Sequence, residues 1–155
     1  MKRGAPVLLV LLLARALFSP EAIAQQSDTT AETGPQDVPQ EVRGVELEPN
    51  FPNPFDTETR IPFVLGEDLF KDGRPVVVTV RIFNVLRQLV AIPTALDHPT
   101  DPGSPAMNLR YEEPGRYMLY WDGRDSSGEP VGSGIYFCQI VANGVTDVRK
   151  MAVIR

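Results

Sequence analysis

One histidine and one cysteine, His98 and Cys138, are the scarce reactive side chains of this chain. A single cysteine closes no intrachain disulfide, and one Cys with one His assembles no zinc, haem or iron–sulfur framework. His98 sits in AIPTALDHPTDPGSP (residues 91–105), with no Cys nearby in sequence and its nearest serine, Ser104, six residues on. It is expected to be a solvated residue of a flexible loop rather than a general base. Cys138 lies inside GIYFCQIVA (residues 134–142). A strand-interior thiol lacks the electropositive exposure that reactivity needs, so it is expected to be buried and inert. Acid–base work would then fall to carboxylates alone, Glu112-Glu113 or Asp122 and Asp125, all in predicted turns within two residues of Pro or Gly. Asp122, Asp125 and Glu129 in a Gly/Ser-rich turn invite a calcium reading, but Ca²⁺ wants six to eight oxygens and no EF-hand spacing is present. Aspartates bonding their own backbone account for the same residues, with Asp122 and Asp125 as weak calcium candidates. The expectation is a protein that is not an enzyme and has no cofactor.

The elements that carry these residues are short and extended. Fifteen prolines and twelve glycines in 155 residues are more than a helical bundle tolerates. The net charge of −5 argues against nucleic acid, whose phosphates demand clustered Lys and Arg. After Gly44 the chain alternates in brief apolar runs between turn signals: 45–47, 61–65, 76–84, 88–92, 116–121, 134–142 and 146–154, with an eighth run near 107–110. Seven or eight such strands predict an all-β antiparallel sandwich. Pro62 suits an edge or first strand position. Asn143-Gly144 predicts a two-residue type I′ hairpin. In the run 134–142, Tyr136, Cys138 and Ile140 are the set expected to face the core. In the last run Val148, Met151 and Val153 are the apolar members, and the change of parity after Arg149-Lys150 suggests a bulge.

Ahead of the sandwich stand two segments of another kind. Residues 1–24 read as a signal peptide: Lys2 and Arg3, then Val7 to Leu13, then the small-x-small site Ala22-Ile23-Ala24. The apolar run is about half the ~20 residues that span a bilayer, and Arg15 interrupts it. No transmembrane segment is expected in the mature chain, and no cysteine follows the site for lipid anchoring. Residues 25–44 carry four acids and few apolar groups, so they read as a disordered acidic linker. Residues 45–155 are the folded domain.

Three blocks in that domain point further. The first is LEPNFPNPF (Leu47 to Phe55), with Pro49, Asn50, Pro52, Asn53, Pro54 and Phe55, followed by TRIPFVL. The second is WDGRDSSG (Trp121 to Gly128), with Asp122, Gly123 and Asp125, running on to Gly134 and Tyr136. The third is RKMAVIR (Arg149 to Arg155). In this order they resemble the C-terminal sorting domain (type A) of the type IX secretion system, and the Ig-like domain of the flagellar hook-capping protein FlgD. The resemblance covers about residues 45–155 and implies an Ig-like, FlgD-type sandwich. It implies as well that Lys150, Met151, Val153, Ile154 and Arg155 carry a sorting signal in the last strand. Where such domains follow an enzyme or adhesin, here about twenty polar residues come first.

Each block also has a reading from its residues. Prolines fix φ near −65° and push their predecessors toward extended geometry, so Phe51 and Phe55 are set to plug the open end of a sandwich. Trp121 reads as a core plug. The last strand either completes a sheet or offers accessible edge hydrogen bonds to a capturing partner. The expected function is therefore an exported module directed to secretion or the cell surface, with secretion machinery or envelope proteins as partners. The alternative is a periplasmic or extracellular assembly protein of the same fold with no sorting role.

Overall fold

The computed structural model describes residues 43–155, so the expected signal peptide and all but the end of the linker lie outside the described residues. Nine strands are present among these: β1 Val45–Leu47, β2 Thr59–Leu65, β3 Val76–Asn84, β4 Leu89–Ala91, β5 Thr94–Ala95, β6 Leu109–Tyr111, β7 Gly115–Trp121, β8 Gly134–Ala142 and β9 Val145–Val153. A single 3-10 turn, Glu67–Phe70, interrupts them. One sheet has the order β1-β2-β7-β5; the other has β4-β3-β8-β9, with β6 pairing with β3 beyond the end of β4. Every strand pair is antiparallel. The result is an Ig-like antiparallel β-sandwich. No described helix is long and apolar enough to cross a membrane.

Alternation builds the core. In β3 the even positions Val76, Val78, Val80 and Ile82 are fully buried, and β-branched side chains at those positions hold the extended backbone while filling the space between sheets. Ile61, Phe63 and Leu65 of β2, and Leu119 and Trp121 of β7, oppose them from the other sheet. Each such side chain contributes about 1.5–3 kcal/mol on leaving water. Cys138, Ile140 and Ala142 are likewise buried, so the core-facing parity expected for β8 is the observed one. Burial pushes the Cys138 thiol up to about 12, with the Asp147 charge adding to the effect.

The hairpin forms as its dipeptide dictates. Asn143 and Gly144 both have positive φ, 46° and 86°, as type I′ geometry requires. The Asn143 side chain then accepts from the Val77 amide at 2.9 Å, tying the turn to β3.

Four expectations need correction. The strands number nine because β5, two residues between Pro93 and Leu96, is too short to show alternation. Pro62 is neither at an edge nor first; it lies in a strand flanked on both sides by β1 and β7. It is tolerated because β1 ends opposite it: Glu48 N donates to Pro62 O at 2.9 Å, and the return bond that proline cannot donate falls just past Leu47. The last strand has no bulge. β8 and β9 pair without interruption from Gly134↔Val153 to Ala142↔Val145. The parity puzzle has another solution, because Asp147 and Arg149 occupy half-buried inward positions and Val148 points outward, 51% exposed.

His98 is the fourth. It is 3% exposed, not solvated. Its Nε2 lies 3.0 Å from Arg110 O, while Nδ1 accepts from the amides of Thr100 and Asp101 at 3.3 and 3.0 Å. Its ring also packs edge-on against Tyr111, with centroids 4.5 Å apart. Both nitrogens are spent on folding the loop around them.

Candidate functional site

The three sequence blocks meet at one end of the sandwich, where the last strand finishes. β9 is the edge strand of its sheet, and its even-numbered residues direct their amides and carbonyls outward. Asn53 Oδ1 accepts from Ala152 N at 3.1 Å. Phe55 N donates to Ala152 O at 3.0 Å, and Ile154 N donates to Phe55 O at 2.9 Å. The first block thus lies along the final residues of the chain as a short parallel bridge, Phe55↔Val153. This corrects the expectation of an accessible edge at the strand's end. Those edge groups are already paired, and what remains outward is side chain: Lys150 is exposed and Ile154 is 59% exposed.

The block holds this path through its own polar residues. Buried Asn50 donates from Nδ2 to Pro52 O at 3.1 Å and to Thr59 Oγ1 at 2.9 Å, and Thr59 Oγ1 donates to Pro52 O. Phe51 exchanges backbone bonds with Arg60. Both the Phe51-Pro52 and Asn53-Pro54 peptides are cis. Pro49, Pro52 and Pro54 stay exposed, so they shape the chain rather than pack it. Of the two phenylalanines only Phe55 is a plug, 2% exposed; Phe51 is 46% exposed.

Phe55 stacks edge-on against Trp121 at 5.4 Å, and Trp121 against Tyr136 at 5.6 Å. Trp121 is buried and donates from its indole nitrogen to Arg124 O at 2.8 Å, satisfying the one polar atom it takes inside. The Tyr136 hydroxyl donates to Gly132 O at 2.9 Å. Met151 and Val153, both buried, complete the apolar end from the last strand.

The second block supplies a seat for the final residue. Arg155 donates from its guanidinium to Gly123 O at 2.8 Å. Its amide donates to Ser133 Oγ at 2.8 Å, and the same hydroxyl donates to Arg155 O at 3.2 Å. Gly123 has φ +65°, and a β-carbon there would lie 2.7 Å from both the Arg155 guanidinium and Thr57 O. Glycine is required twice over, by conformation and by space. Gly128, at φ +85°, meets only the conformational demand. Gly134 opens β8 opposite Val153.

The acids of the turn are committed to it. Asp122 Oδ1 accepts from Arg124 N at 3.1 Å. Asp125 Oδ1 accepts from the Ser127 hydroxyl and from the amides of Ser127 and Glu129. These donors, the Ser127 hydroxyl foremost, hold the Asp125 carboxyl below its ordinary range. Among the described residues no group of three or more His, Cys, Asp or Glu is placed to share a metal ion.

Ser133 and Asp147 belong to this arrangement without standing out in the sequence as site residues. Asp147 Oδ2 accepts from Leu47 N at 2.7 Å, joining β9 to β1 across the open side of the sandwich, and its Oδ1 accepts from Val148 N. A lone acid at an inward position of an edge strand was the available signal.

No protein-family model matches the chain, and no curated protein does. Among solved structures it is similar to dimeric latent PorU from Porphyromonas gingivalis, with 22% identity and a TM-score of 0.46. The match takes in 71% of this chain and 9% of that one.

Proposed function

We propose that this chain is an exported, non-enzymatic Ig-like module whose last strand directs secretion or cell-surface attachment by a type IX pathway. The observation that carries the reading is the convergence of all three blocks on residues 150–155. The first pairs with Ala152 and Ile154, the second holds Arg155, and the third is that strand itself. A machine meeting the folded domain would find a fixed terminal strand whose end presents the Lys150 and Ile154 side chains. Recognition would therefore rest on those side chains rather than on addition of a strand to residues 152–154.

The experiment separates signal from scaffold. Deleting residues 150–155 would strip Met151 and Val153 from the core, so loss of delivery alone would be ambiguous. The variant Lys150→Ser/Ile154→Ser changes only exposed side chains. In a host with type IX machinery it should fold with unchanged melting temperature yet remain in the periplasm. Surface delivery equal to wild type would overturn the sorting role and leave the alternative, an envelope assembly protein.

A further inference from the structure

The outer face of the β4-β3-β8-β9 sheet differs in chemistry from the rest of the chain. Register places Phe83 beside Phe137 and Phe137 beside Lys150 in one row, with Arg81, Gln139 and Val148 in the next. Phe83, Phe137, Gln139 and Val148 of these rows line an open groove of about 580 Å³, closed at one end by Val85 and Arg87 of the turn after β3. Arg81 and Lys150 flank it as the register neighbours of Gln139 and Phe137. Val85 is 64% exposed and Val148 51%. The chain holds twenty acids, yet none falls between Val76 and Ile92, and none stands at an outward position of β8 or β9. Asp147, the one acid in those three strands, is turned inward to the Leu47 amide. The face is thus an apolar trough rimmed by Arg81, Arg87 and Lys150 on a net-acidic molecule.

We propose that this groove is a docking surface for an extended, acidic peptide segment of a partner protein, with carboxylates on the basic rim and apolar side chains between Phe83, Phe137 and Val148. Charge complementarity selects an acidic occupant, since an uncompensated rim of three cations disfavours a basic or neutral one. The shape of the groove selects a peptide: a trough between Phe83, Phe137 and Val148, closed at one end by Val85 and Arg87, seats an extended chain where a bilayer surface would meet only its rim.

The test uses the full chain and fluorescence anisotropy with a labelled peptide of alternating glutamate and leucine. Parallel peptides carry lysine for glutamate or serine for leucine. The glutamate–leucine peptide should bind, weaken with added salt, and lose about tenfold or more in affinity with Arg81→Glu/Arg87→Glu, a change confined to solvent-facing side chains. Phe137→Ser should weaken it as well, with thermal melts showing that both variants fold. Equal binding of the lysine–leucine peptide, or indifference to the double charge reversal, would overturn the proposal. So would binding of phosphatidylglycerol vesicles without peptide binding, which would make the occupant a lipid. Dimerisation in sedimentation experiments that Phe137→Ser abolishes would assign the face to a second copy and also refute the proposal.

Discussion

Arg155 reaches back across 32 residues of sequence to place its guanidinium 2.8 Å from the carbonyl oxygen of Gly123. The contact joins the last residue to the turn that follows Trp121. Position 123 leaves room for it by carrying no side chain: a β-carbon there would lie 2.7 Å from the guanidinium.

Gly123→Ala should therefore destabilise the domain by about 2–4 kcal/mol, combining a left-handed backbone penalty with displacement of Arg155 and the Thr57 carbonyl. Gly128→Ala, with the same sign of φ but open space, should cost only about 1–2 kcal/mol. Urea unfolding followed by Trp121 fluorescence measures both. Equal losses would mean that the space around Gly123 is unimportant.

The pairing of residues 53–55 with the chain end is testable amide by amide. Asn53→Ala removes the acceptor for Ala152 N and should cost about 1 kcal/mol. Hydrogen exchange at Ala152 should quicken in this variant while core amides of β3 keep their protection. Phe55→Ala removes a buried ring from its contact with Trp121 and should cost about 3–5 kcal/mol.

Cys138 should be silent in the native state. With its thiol pushed up to about 12 by burial, almost no thiolate exists at neutral pH, and no solvent path reaches it. Labelling by a thiol-specific disulfide reagent should be negligible until denaturant unfolds the chain, then complete. Prompt labelling of the folded protein would contradict the packing of β8.

Asp125 gives the turn an acid limit. Its folded pKa lies below the ordinary value near 3.8, so the carboxylate form is favoured by folding. That stabilisation is present above the unfolded pKa and is lost as pH falls through the lower folded value. Melting temperatures of wild type and Asp125→Asn should differ at neutral pH and converge as pH falls from about 5 to below the folded pKa. A constant gap across that range would show that the charge on Asp125 does not matter.

Much of the fold is written in local signals. β3 and β8 start and stop where their apolar runs do, and Asn143-Gly144 turns the chain as its backbone preferences require. Trp121 and Phe55 are legible as plugs because large aromatics just beside a turn have few other places to go. What escapes sequence reading is set by distant partners. Pro62 sits in a flanked strand because β1 happens to end opposite it. His98 is buried because the carbonyl of Arg110 and the ring of Tyr111, a dozen residues away, close over it. Asp147 breaks the alternation of β9 to reach Leu47, one hundred residues earlier, and so mimics a bulge. The meeting of the three blocks was readable as order along the chain, but their contact depends on the edge position of β9, which only topology decides.

Under the proposed sorting role the folded domain itself carries an address. Residues 43–155 contain the whole sandwich core and can be appended to a periplasmic reporter enzyme in a bacterium with type IX machinery. Protease shaving and antibody labelling of intact cells then locate the reporter. The expected result is a surface-exposed reporter that returns to the periplasm with Lys150→Ser/Ile154→Ser; a reporter confined to the periplasm with the unaltered domain attached would contradict the claim.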